Sequence, residues 1–311
     1  MTEIFDLICI GAALVDMVAR VERHPIEDDE VFVSDLKLMS GGAAANTAYA
    51  CATLGLNTAF IGKIGLNDTF GAKIISDFKN VKVATKLMKY SKENGTGSAY
   101  VALNKEGDRR IYAHSGAANY LSKEDINEEE IIPAKVLFLS SLKNLEPFIK
   151  AAKIGKSHDI PVIMNPGMLI IDQGIDNIKI LLEEVDILIL SQREFTTLMK
   201  IKDTELNIEA NQIKMNELFK YGIKIIIITM GKNGAALFTQ FQSEIIPAIK
   251  VDEVIDTTGA GDAFSAGFIY GFAQNRSYQF EDMKNNVKCG NIVAGNCIQK
   301  LGARNGIPKL K

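Results

Sequence analysis

The sequence has no tryptophan, only three histidines and four cysteines, and no long apolar run. Its longest aliphatic stretches, such as 225–229, are far too short to cross a bilayer, so a membrane partner is not expected. The first residues, MTEIFDLICIG, carry neither the basic start nor the extended apolar core of a signal peptide. We therefore expect a cytoplasmic protein.

The net charge and the spacing of cysteines and histidines argue against a nucleic-acid-binding protein and against a zinc protein. The net charge is −3, which gives no electrostatic footprint for binding nucleic acid or an anionic membrane. Cys9, Cys51, Cys289 and Cys297 lie in apolar surroundings with no CxxC pair, so we expect reduced core thiols rather than disulfides or a zinc site. The histidines are not spaced as metal ligands either.

Two phosphate-binding fingerprints are also missing. No GxxxxGK[ST] occurs, so any phosphate site in this chain is not a P-loop. No GxGxxG follows the first apolar run, where GAALVD has a single glycine, and this argues against a dinucleotide-dependent dehydrogenase.

What the sequence does contain is a rhythm of short aliphatic runs and helical stretches over 311 residues that are 47% hydrophobic. Buried strands are predicted at 7–11, 58–65, 136–140, 161–165, 186–191 and 223–230. Helices are predicted at 46–54, 145–158, 176–184 and 210–221. Continuously apolar strands separated by helices are typical of an α/β protein with a mostly parallel sheet covered on both faces. Ligands in such sheets bind at the carboxyl ends of the strands.

Two regions break this rhythm. Residues 15–38 and 97–115 alternate like half-exposed antiparallel strands with polar turns. We expect them to form a small β-sheet lid on one α/β domain that spans residues 1–311. The alternating apolar residues are too many for a small sheet to bury by itself, so a symmetric dimer through the lid is predicted. They are Val31, Val33, Leu36, Tyr100, Ala102 and Ile111.

The stretch SGGAAANTAYACATLG, residues 40–55, enters a helix with very little side-chain bulk. Small residues allow a ligand or another backbone to come close. Asn46 offers donors and acceptors for sugar-like hydroxyls. A tightly packed helix start with Asn46 as its cap explains the same pattern.

The stretch IDTTGAGDAFSAGF, residues 255–268, places Asp262 directly after Gly259, Ala260 and Gly261. An Asp in the first turn of a helix is stabilised by unpaired N–H groups and the helix dipole. The same N–H groups can hold an anion, and an acid beside them suits phosphoryl transfer to a hydroxyl. A weaker signal is the glycine turn in ITMGKNGA, residues 228–235, after a predicted strand.

Together, GGAAANTAYACATLG and DTTGAGDAFSAGF resemble the two signatures of the ribokinase-like (PfkB) family of carbohydrate and nucleoside kinases. The resemblance runs from the first strand to KLGARNGIP near the C-terminus. It implies a three-layer α/β/α body with a small lid. It also implies transfer of the γ-phosphoryl group of ATP, with Mg²⁺, to a hydroxymethyl group of a sugar.

The resemblance also implies roles for individual residues. Asp262 matches the base that takes the proton from the substrate hydroxyl, and Gly259, Ala260 and Gly261 match the anion hole. The positions that match sugar-binding residues are Asp16, Gly42 and Asn46. Those that match nucleotide-contacting residues are Thr229, Gly231, Gly234 and Asn291. Glu194 matches a residue that holds Mg²⁺ through water, and Asp256 matches an acid beside a monovalent cation such as K⁺.

Two departures from the family pattern bear on substrate and metal. SQRE, residues 191–194, stands where the family has NxxE, so Ser191 replaces an amide in the metal-organising element. Ala43 stands where ribokinases often have lysine, which favours another sugar or a nucleoside over ribose. A nucleoside kinase of the same family is an alternative, because the small residues of GGAAAN leave room near the substrate for a molecule larger than a pentose. An inactive nucleotide- or sugar-binding sensor is a second alternative, because Ser191 departs from the metal-organising element.

Overall fold

The computed structural model describes residues 3–106, 108–201 and 208–309. The strands are, in chain order, β1 (Leu7–Gly11), β2 (Leu14–Val21), β3 (Val33–Gly41), β4 (Thr58–Ile61), β5 (Lys63–Gly65), β6 (Lys89–Ser91), β7 (Thr96–Leu103), β8 (Arg109–Gly116), β9 (Leu137–Ser140), β10 (Val162–Asn165), β11 (Ile187–Ser191), β12 (Ile225–Thr229), β13 (Ala235–Phe238) and β14 (Ser243–Ile246). The helices are α1 (Ala43–Leu54), α2 (Thr69–Asn80), α3 (Glu128–Ile131), α4 (Glu146–Ser157), α5 (Met168–Ile171), α6 (Ile175–Leu182), α7 (Gln192–Leu198), α8 (Ile208–Phe219), α9 (Ala260–Asn275) and α10 (Phe280–Cys297). Short 3₁₀ turns lie at Ala117–Tyr120, Lys123–Asp125 and Gly231–Asn233.

The main sheet has eight strands in the order β14-β13-β12-β11-β10-β9-β1-β4. From β4 to β12 neighbouring strands are parallel, and β13 and β14 add an antiparallel edge. Alternate residues of β1 belong to two separate hydrophobic clusters, Leu7 and Cys9 to one and Ile8 and Ile10 to the other. Each face of the sheet is thus covered by its own layer. This confirms the predicted three-layer α/β/α body.

Two predicted boundaries were wrong. The run 58–65 is not one strand, because the chain leaves the main sheet at Gly62 and β5 pairs with β6 in a separate two-stranded sheet. A side chain at Gly62 would lie 2.6 Å from the carbonyl oxygen of Gly11, so only glycine allows this close turn. Helix α1 begins at Ala43 rather than at residue 46, directly after Gly42.

The second sheet has four strands in the order β3-β2-β7-β8, which confirms the small sheet that the sequence predicted. The pairs β2–β3 and β7–β8 are antiparallel hairpins, but β2 and β7 run parallel. The expectation of antiparallel strands was therefore wrong at this junction, because the chain crosses the main body between the two hairpins and returns in the same direction. Gly107, within the predicted range 97–115, lies outside the described residues.

The apolar side chains of this second sheet, which we call the lid sheet, are divided between core and solvent. Val33, Leu36, Ile111 and Tyr112 are exposed, with Ile111 at 59%. Ala102 is buried, contrary to its place among the predicted surplus residues. By the strand register, Val33, Leu36 and Tyr112 expose apolar surface on one face of the lid sheet, whereas Ile111 lies on the opposite face.

Of the helices in the described ranges, none combines the length and apolar character needed to span a membrane. Cys9, Cys51 and Cys297 are buried free thiols, and Cys289 is a half-buried one.

Candidate active site

The predicted site residues gather where the parallel strands end. Ser191 and Thr229, the last residues of β11 and β12, are register partners in the sheet. Helices α1 and α9 pack against each other in the same layer, on one face of the sheet. This packing brings Asn46 of α1 to Asp262 in the first turn of α9. These residues therefore meet at the carboxyl ends of the parallel strands, where ligands bind in open α/β sheets.

Asp262 is half-buried and hydrogen-bonded on two sides. Its Oδ2 accepts a hydrogen bond of 2.9 Å from Nδ2 of Asn46, and its backbone carbonyl accepts one of 3.4 Å from the Thr47 hydroxyl. Burial is the main cause that raises the pKa of this carboxyl to about 7, against the opposing effects of Asn46 and Arg304. The nearby carboxylates of Glu194 and Asp16 raise the pKa further. A carboxyl with a pKa near 7 is well matched to accept a proton at neutral pH.

Gly259, Ala260 and Gly261 form the start of α9 in front of Asp262. Gly259 precedes the helix with φ 76°, a left-handed conformation that favours glycine, and a side chain there would lie 2.3 Å from Cβ of Ala303. Gly261 is exposed, and a side chain at this position would meet nothing within 4 Å. The N–H of Ala260 donates to the carbonyl oxygen of Thr257 at 3.2 Å, and the first bond of the helix runs from the N–H of Ala263 to the carbonyl oxygen of Gly259 at 2.8 Å. The N–H groups of Gly261 and Asp262 come before that first bond, so the open space at Gly261 is a cradle suited to an anion.

Asp16 and Gly42 lie at the junction of the lid sheet with α1. Asp16 is a half-buried residue of β2, and burial raises the pKa of its carboxyl while Arg304 opposes that rise. Its Oδ2 would lie only 2.3 Å from a side chain at Gly41. Gly42 has φ 95°, and a side chain there would lie 2.4 Å from the carbonyl oxygen of Ala12. The glycine pair therefore lets α1 begin against Asp16 without obstruction.

The predicted nucleotide-contacting residues fall into two groups. Thr229 is half-buried at the end of β12, and Gly231, with φ 56°, faces open space. Gly234 instead makes the turn possible, since a side chain there would lie 2.1 Å from the carbonyl oxygen of Ile246. Asn291 is buried, and its Nδ2 donates to the carbonyl oxygens of Ile246 and Pro247 at 3.2 and 3.0 Å. Thr229 and Gly231 can thus contact a ligand directly, whereas Gly234 and Asn291 pack against the backbone at Ile246 and Pro247 and support the turn.

Glu194 is buried and forms a capping box with Ser191 at the start of α7. Its Oε2 accepts a hydrogen bond of 2.6 Å from the Ser191 N–H, and the Ser191 hydroxyl accepts one of 3.2 Å from the Glu194 N–H. The pattern S-x-x-E is itself the sequence signature of this cap, so the replacement of an amide by Ser191 has a structural reason.

A carboxylate near Asp262 fits a hard, partly hydrated divalent cation. Glu194 is close enough for its charge to raise the pKa of Asp262. Within the described residues, no three His, Cys, Asp or Glu side chains are grouped so as to hold a metal by themselves. The donor set therefore suits Mg²⁺ held through water and ligand phosphates rather than in an all-protein cage.

Asp256 ties two loops together beside the glycine cradle. Its carboxylate accepts hydrogen bonds from the N–H groups of Thr258 at 2.9 Å and Gly302 at 2.8 Å. Burial raises the pKa of Asp256, but these hydrogen bonds outweigh burial and leave the pKa below its usual value. An ionised carboxylate with further lone pairs fits a cation at this place.

Sequence reasoning missed Arg304, the residue that joins Asn46 from the far end of the chain. Its Nε donates to Oδ1 of Asn46 at 2.9 Å across a separation of 258 residues. No local sequence pattern around Arg304 predicts this contact. The role of a buried arginine becomes visible only in the tertiary structure, which shows the carboxylates around it.

Comparisons with known proteins agree with this fold. The model of the family described as pfkB family carbohydrate kinase matches residues 5–310. A ribokinase of Staphylococcus aureus is 31% identical over 308 residues, covering 98% of this chain and 97% of the relative. A protein named probable fructokinase-6, chloroplastic, of Arabidopsis thaliana is 31% identical, covering 87% of this chain and 71% of the relative. The structure of Arabidopsis thaliana ribokinase complexed with ribose and ATP superimposes with a TM-score of 0.86 at 27% identity, covering 98% of this chain and 96% of that one.

Proposed function

This chain belongs to the pfkB family of carbohydrate kinases, and on that premise we propose that Asp262 is its catalytic base. The chain is an ATP-dependent phosphotransferase that acts on a sugar hydroxyl. The observation that carries the proposal is Asp262 itself, whose pKa is raised to about 7 directly behind an open glycine cradle.

In the proposed reaction Asp262 takes the proton of the hydroxymethyl group, whose oxygen bonds to the γ-phosphorus of ATP while the bond to the β-phosphate oxygen breaks and ADP leaves. The backbone N–H groups of Gly259, Ala260 and Gly261 hold the negative charge that develops on the transferring phosphoryl group. Asp16, Gly42 and Asn46 orient the sugar so that one hydroxyl faces Asp262. Thr229 and Gly231 contact the nucleotide, while Gly234 and Asn291 support the turn that does so.

The finer assignments of ions belong to the same proposal. Glu194 and water hold Mg²⁺, which neutralises charge on the phosphates when it is bound. Asp256 helps to hold a monovalent cation such as K⁺ beside the cradle. Replacing K⁺ by a bulky organic cation in the assay tests this: activity is expected to fall in the wild type, and equal activity in both salts contradicts it.

We further propose that residues 1–311 form one kinase domain in the cytoplasm, whose lid sheet covers the bound sugar. Closure of the lid keeps water from the phosphoryl group. The exposed apolar residues Val33, Leu36 and Tyr112, which share one face of the lid sheet, support a symmetric dimer through the lid sheets of two chains.

A substrate screen tests the function directly. The purified chain is incubated with ATP, Mg²⁺ and single members of a panel of pentoses, hexoses, deoxy sugars and nucleosides, and release of ADP is followed. The matched control is Asp262→Asn, which removes the base but keeps the shape of the side chain, so contaminating kinases show up as activity shared by both preparations. Sugar-dependent ADP release by the wild type alone is the expected result. Its absence for every sugar overturns the proposal.

The nucleoside alternative is one arm of the same screen. The argument for a nucleoside was that the small residues of GGAAAN leave room beside the substrate, but Ala44 and Ala45 are fully buried. Only Ala43, which is half-buried, can border a substrate there. We therefore favour a sugar, and turnover of nucleosides without turnover of sugars decides for the alternative.

A further inference from the structure

Three side chains from distant parts of the chain form a continuous hydrogen-bonded series that ends on Asp262. Arg304, which follows α10, donates from Nε to Oδ1 of Asn46 at 2.9 Å. Asn46 in turn donates from Nδ2 to Oδ2 of Asp262 at 2.9 Å. The series couples the C-terminal segment to the start of α9 through a single side-chain amide.

Arg304 determines which way the amide of Asn46 faces. An amide offers an acceptor on one side and two donors on the other, whereas a guanidinium only donates and an ionised carboxylate only accepts. If the amide were turned over, its NH₂ would face the donor of Arg304 and its oxygen would face the carboxylate of Asp262. Both contacts would then be repulsive, so Arg304 keeps the donor of Asn46 on Asp262.

The guanidinium of Arg304 is itself fixed in place. Its Cζ lies 4.9 Å from the ring centre of Tyr49 and 5.9 Å from that of Phe78. Contacts of this kind between a cation and aromatic rings restrict the plane of the guanidinium. Aromatic rings alone can also hold an aliphatic side chain, so packing does not by itself explain an arginine here.

The two outer nitrogens of Arg304 point to a role beyond packing. Nη1 and Nη2 are buried and have no hydrogen-bond partner among the described residues. Leaving donors buried and unpaired destabilises a fold, and an apolar side chain of similar length would avoid that cost. What an apolar side chain cannot supply is the Nε–H donor and the positive charge beside Asp262.

We propose that Arg304 is a positioning residue for phosphoryl transfer: it locks the amide of Asn46 so that Asn46 holds the carboxylate of Asp262 in a fixed orientation toward the substrate hydroxyl. The inference rests on the proposed function, in which Asp262 is the base. Arg304 touches neither substrate nor nucleotide in this scheme. It acts entirely through Asn46 and through its charge.

The charge of Arg304 gives the inference a readout in pH. Four groups shift the pKa of Asp262: Arg304 from the C-terminal segment, Asn46 from α1, Glu194 from α7 and Asp16 from β2. The charge of Asp262 in turn raises the pKa of the Cys297 thiol on α10. Burial lowers the pKa of Arg304 to about 10, while Asp77, Asp262 and Asp16 oppose that change, so the guanidinium is charged at neutral pH. Its removal leaves only the hydrogen bond from Asn46 to oppose the effects of burial, Glu194 and Asp16, and the pKa of Asp262 rises.

A double-mutant cycle with pH profiles tests the inference. The variants are Arg304→Met, Asn46→Ala and both together, with Arg304→Lys to restore the charge without the Nε–H donor. Arg304→Met is expected to lower kcat about 10- to 100-fold, the usual loss when an orienting partner is removed. The acid limb of kcat/KM for the sugar is expected to move up by about one pH unit. In Arg304→Lys the limb returns toward that of the wild type while kcat recovers only in part.

The cycle separates action through Asn46 from a general loss of structure. If Arg304 works through Asn46, Arg304→Met lowers kcat much less in the Asn46→Ala background than in the wild type. Fully additive losses, or an unchanged acid limb in Arg304→Met, overturn the inference. If Arg304→Met does not fold, Arg304→Lys takes its place in the same cycle, and equal kcat for Arg304→Lys and wild type then overturns it.

Two further measurements keep the inference apart from the proposed function. Arg276→Asn removes an arginine at the far end of α9, and its kcat and pH profile are expected to match the wild type. The pKa of Asp262, followed by carboxyl-carbon NMR and assigned with Asp262→Asn, is expected to rise in Arg304→Met even without substrate. If no sugar is phosphorylated, the proposed function fails, whereas an unmoved NMR titration means that the inference fails.

Discussion

At the scale of single residues, the carboxyl of Asp262 titrates near neutral pH. Burial raises the pKa of its carboxyl to about 7, and the hydrogen bond from Asn46 limits that rise. The same residue occupies the first turn of α9, where the helix dipole stabilises an acid. Stabilisation of the helix start and proton transfer are therefore compatible roles for one side chain.

Asp262→Asn is expected to keep the fold and nucleotide binding and to lower kcat by roughly 10²–10⁴, the contribution of a positioned general base. Asparagine keeps the shape and an acceptor oxygen for Asn46 but cannot take the proton. Steady-state kinetics with the preferred sugar, together with a nucleotide-binding titration, measure both effects. A variant that turns over at nearly the wild-type rate contradicts the assignment of Asp262.

The pH dependence of the wild type follows from the same carboxyl. The base must be ionised, so kcat/KM for the sugar is expected to be high above pH 7 and to fall as the pH drops through about 7, the pKa of Asp262. Profiles measured at saturating ATP on both sides of this value check the direction. A constant rate well below pH 6 would mean that another group accepts the proton.

Asp16→Ala is expected to raise the KM for the sugar about 10- to 100-fold and to leave the KM for ATP unchanged. The reason is that a hydrogen bond to a charged acceptor contributes on the order of 2 kcal/mol. The matched control is Asp35→Ala on β3, whose carboxylate pairs with Lys37 at 3.5 Å on the surface. Equal sugar KM values in the two variants contradict the contact between Asp16 and the sugar.

At the scale of elements, the start of α7 combines a structural cap with the carboxylate that we propose to hold Mg²⁺. Ser191 and Glu194 satisfy each other's backbone N–H groups, which fixes Glu194 near Asp262. The two functions of Glu194 can be separated, because glutamine keeps the acceptor for the Ser191 N–H and loses only the charge.

Glu194→Gln is expected to raise the Mg²⁺ concentration for half-maximal activity about tenfold while the melting temperature stays close to that of the wild type. Ser191→Ala is the complementary variant. It loses the cap and is expected to lower the free energy of unfolding by about 1 kcal/mol without changing the Mg²⁺ requirement. Mg²⁺ titrations and thermal unfolding of both variants distinguish the roles, and an unchanged Mg²⁺ requirement in Glu194→Gln places the metal elsewhere.

At the scale of the whole molecule, a lid sheet with several exposed apolar side chains extends from a body that is covered on both sides. The hairpins β2–β3 and β7–β8 carry the exposed side chains, among which Leu36 is 55% exposed. Apolar surface gathered on one sheet commonly marks a surface that meets a partner.

Leu36→Lys and Leu38→Lys are expected to convert a dimer into single chains, because both residues are exposed on the same face and each variant places a charge in the proposed interface twice, once from each chain. Light scattering at micromolar concentration measures the mass. Ile4→Lys is the matched control, since Ile4 is 61% exposed but lies outside the lid sheet. A wild-type mass of one chain contradicts the dimer.

The sequence by itself determined the α/β body, the small second sheet and the family. Aliphatic runs predict buried strands because five or so consecutive apolar residues can be accommodated only inside a two-sided sheet. The glycine-rich signatures predict close approach of ligand or backbone because no other residue adopts the conformations of Gly42 and Gly259 without strain. These properties are local, so the order of residues is sufficient to predict them.

Only the tertiary structure decided how the local pieces meet. The contact between Asn46 and Asp262 joins residues 216 positions apart, and that between Arg304 and Asn46 joins residues 258 apart. The parallel pairing of β2 with β7 and the departure of β5 from the main sheet are likewise invisible in any short window. The orientation of the Asn46 amide and the raised pKa of Asp262 depend on which donors, carboxylates and rings surround them in space, because hydrogen bonds and electrostatic interactions follow distance and burial rather than position along the chain.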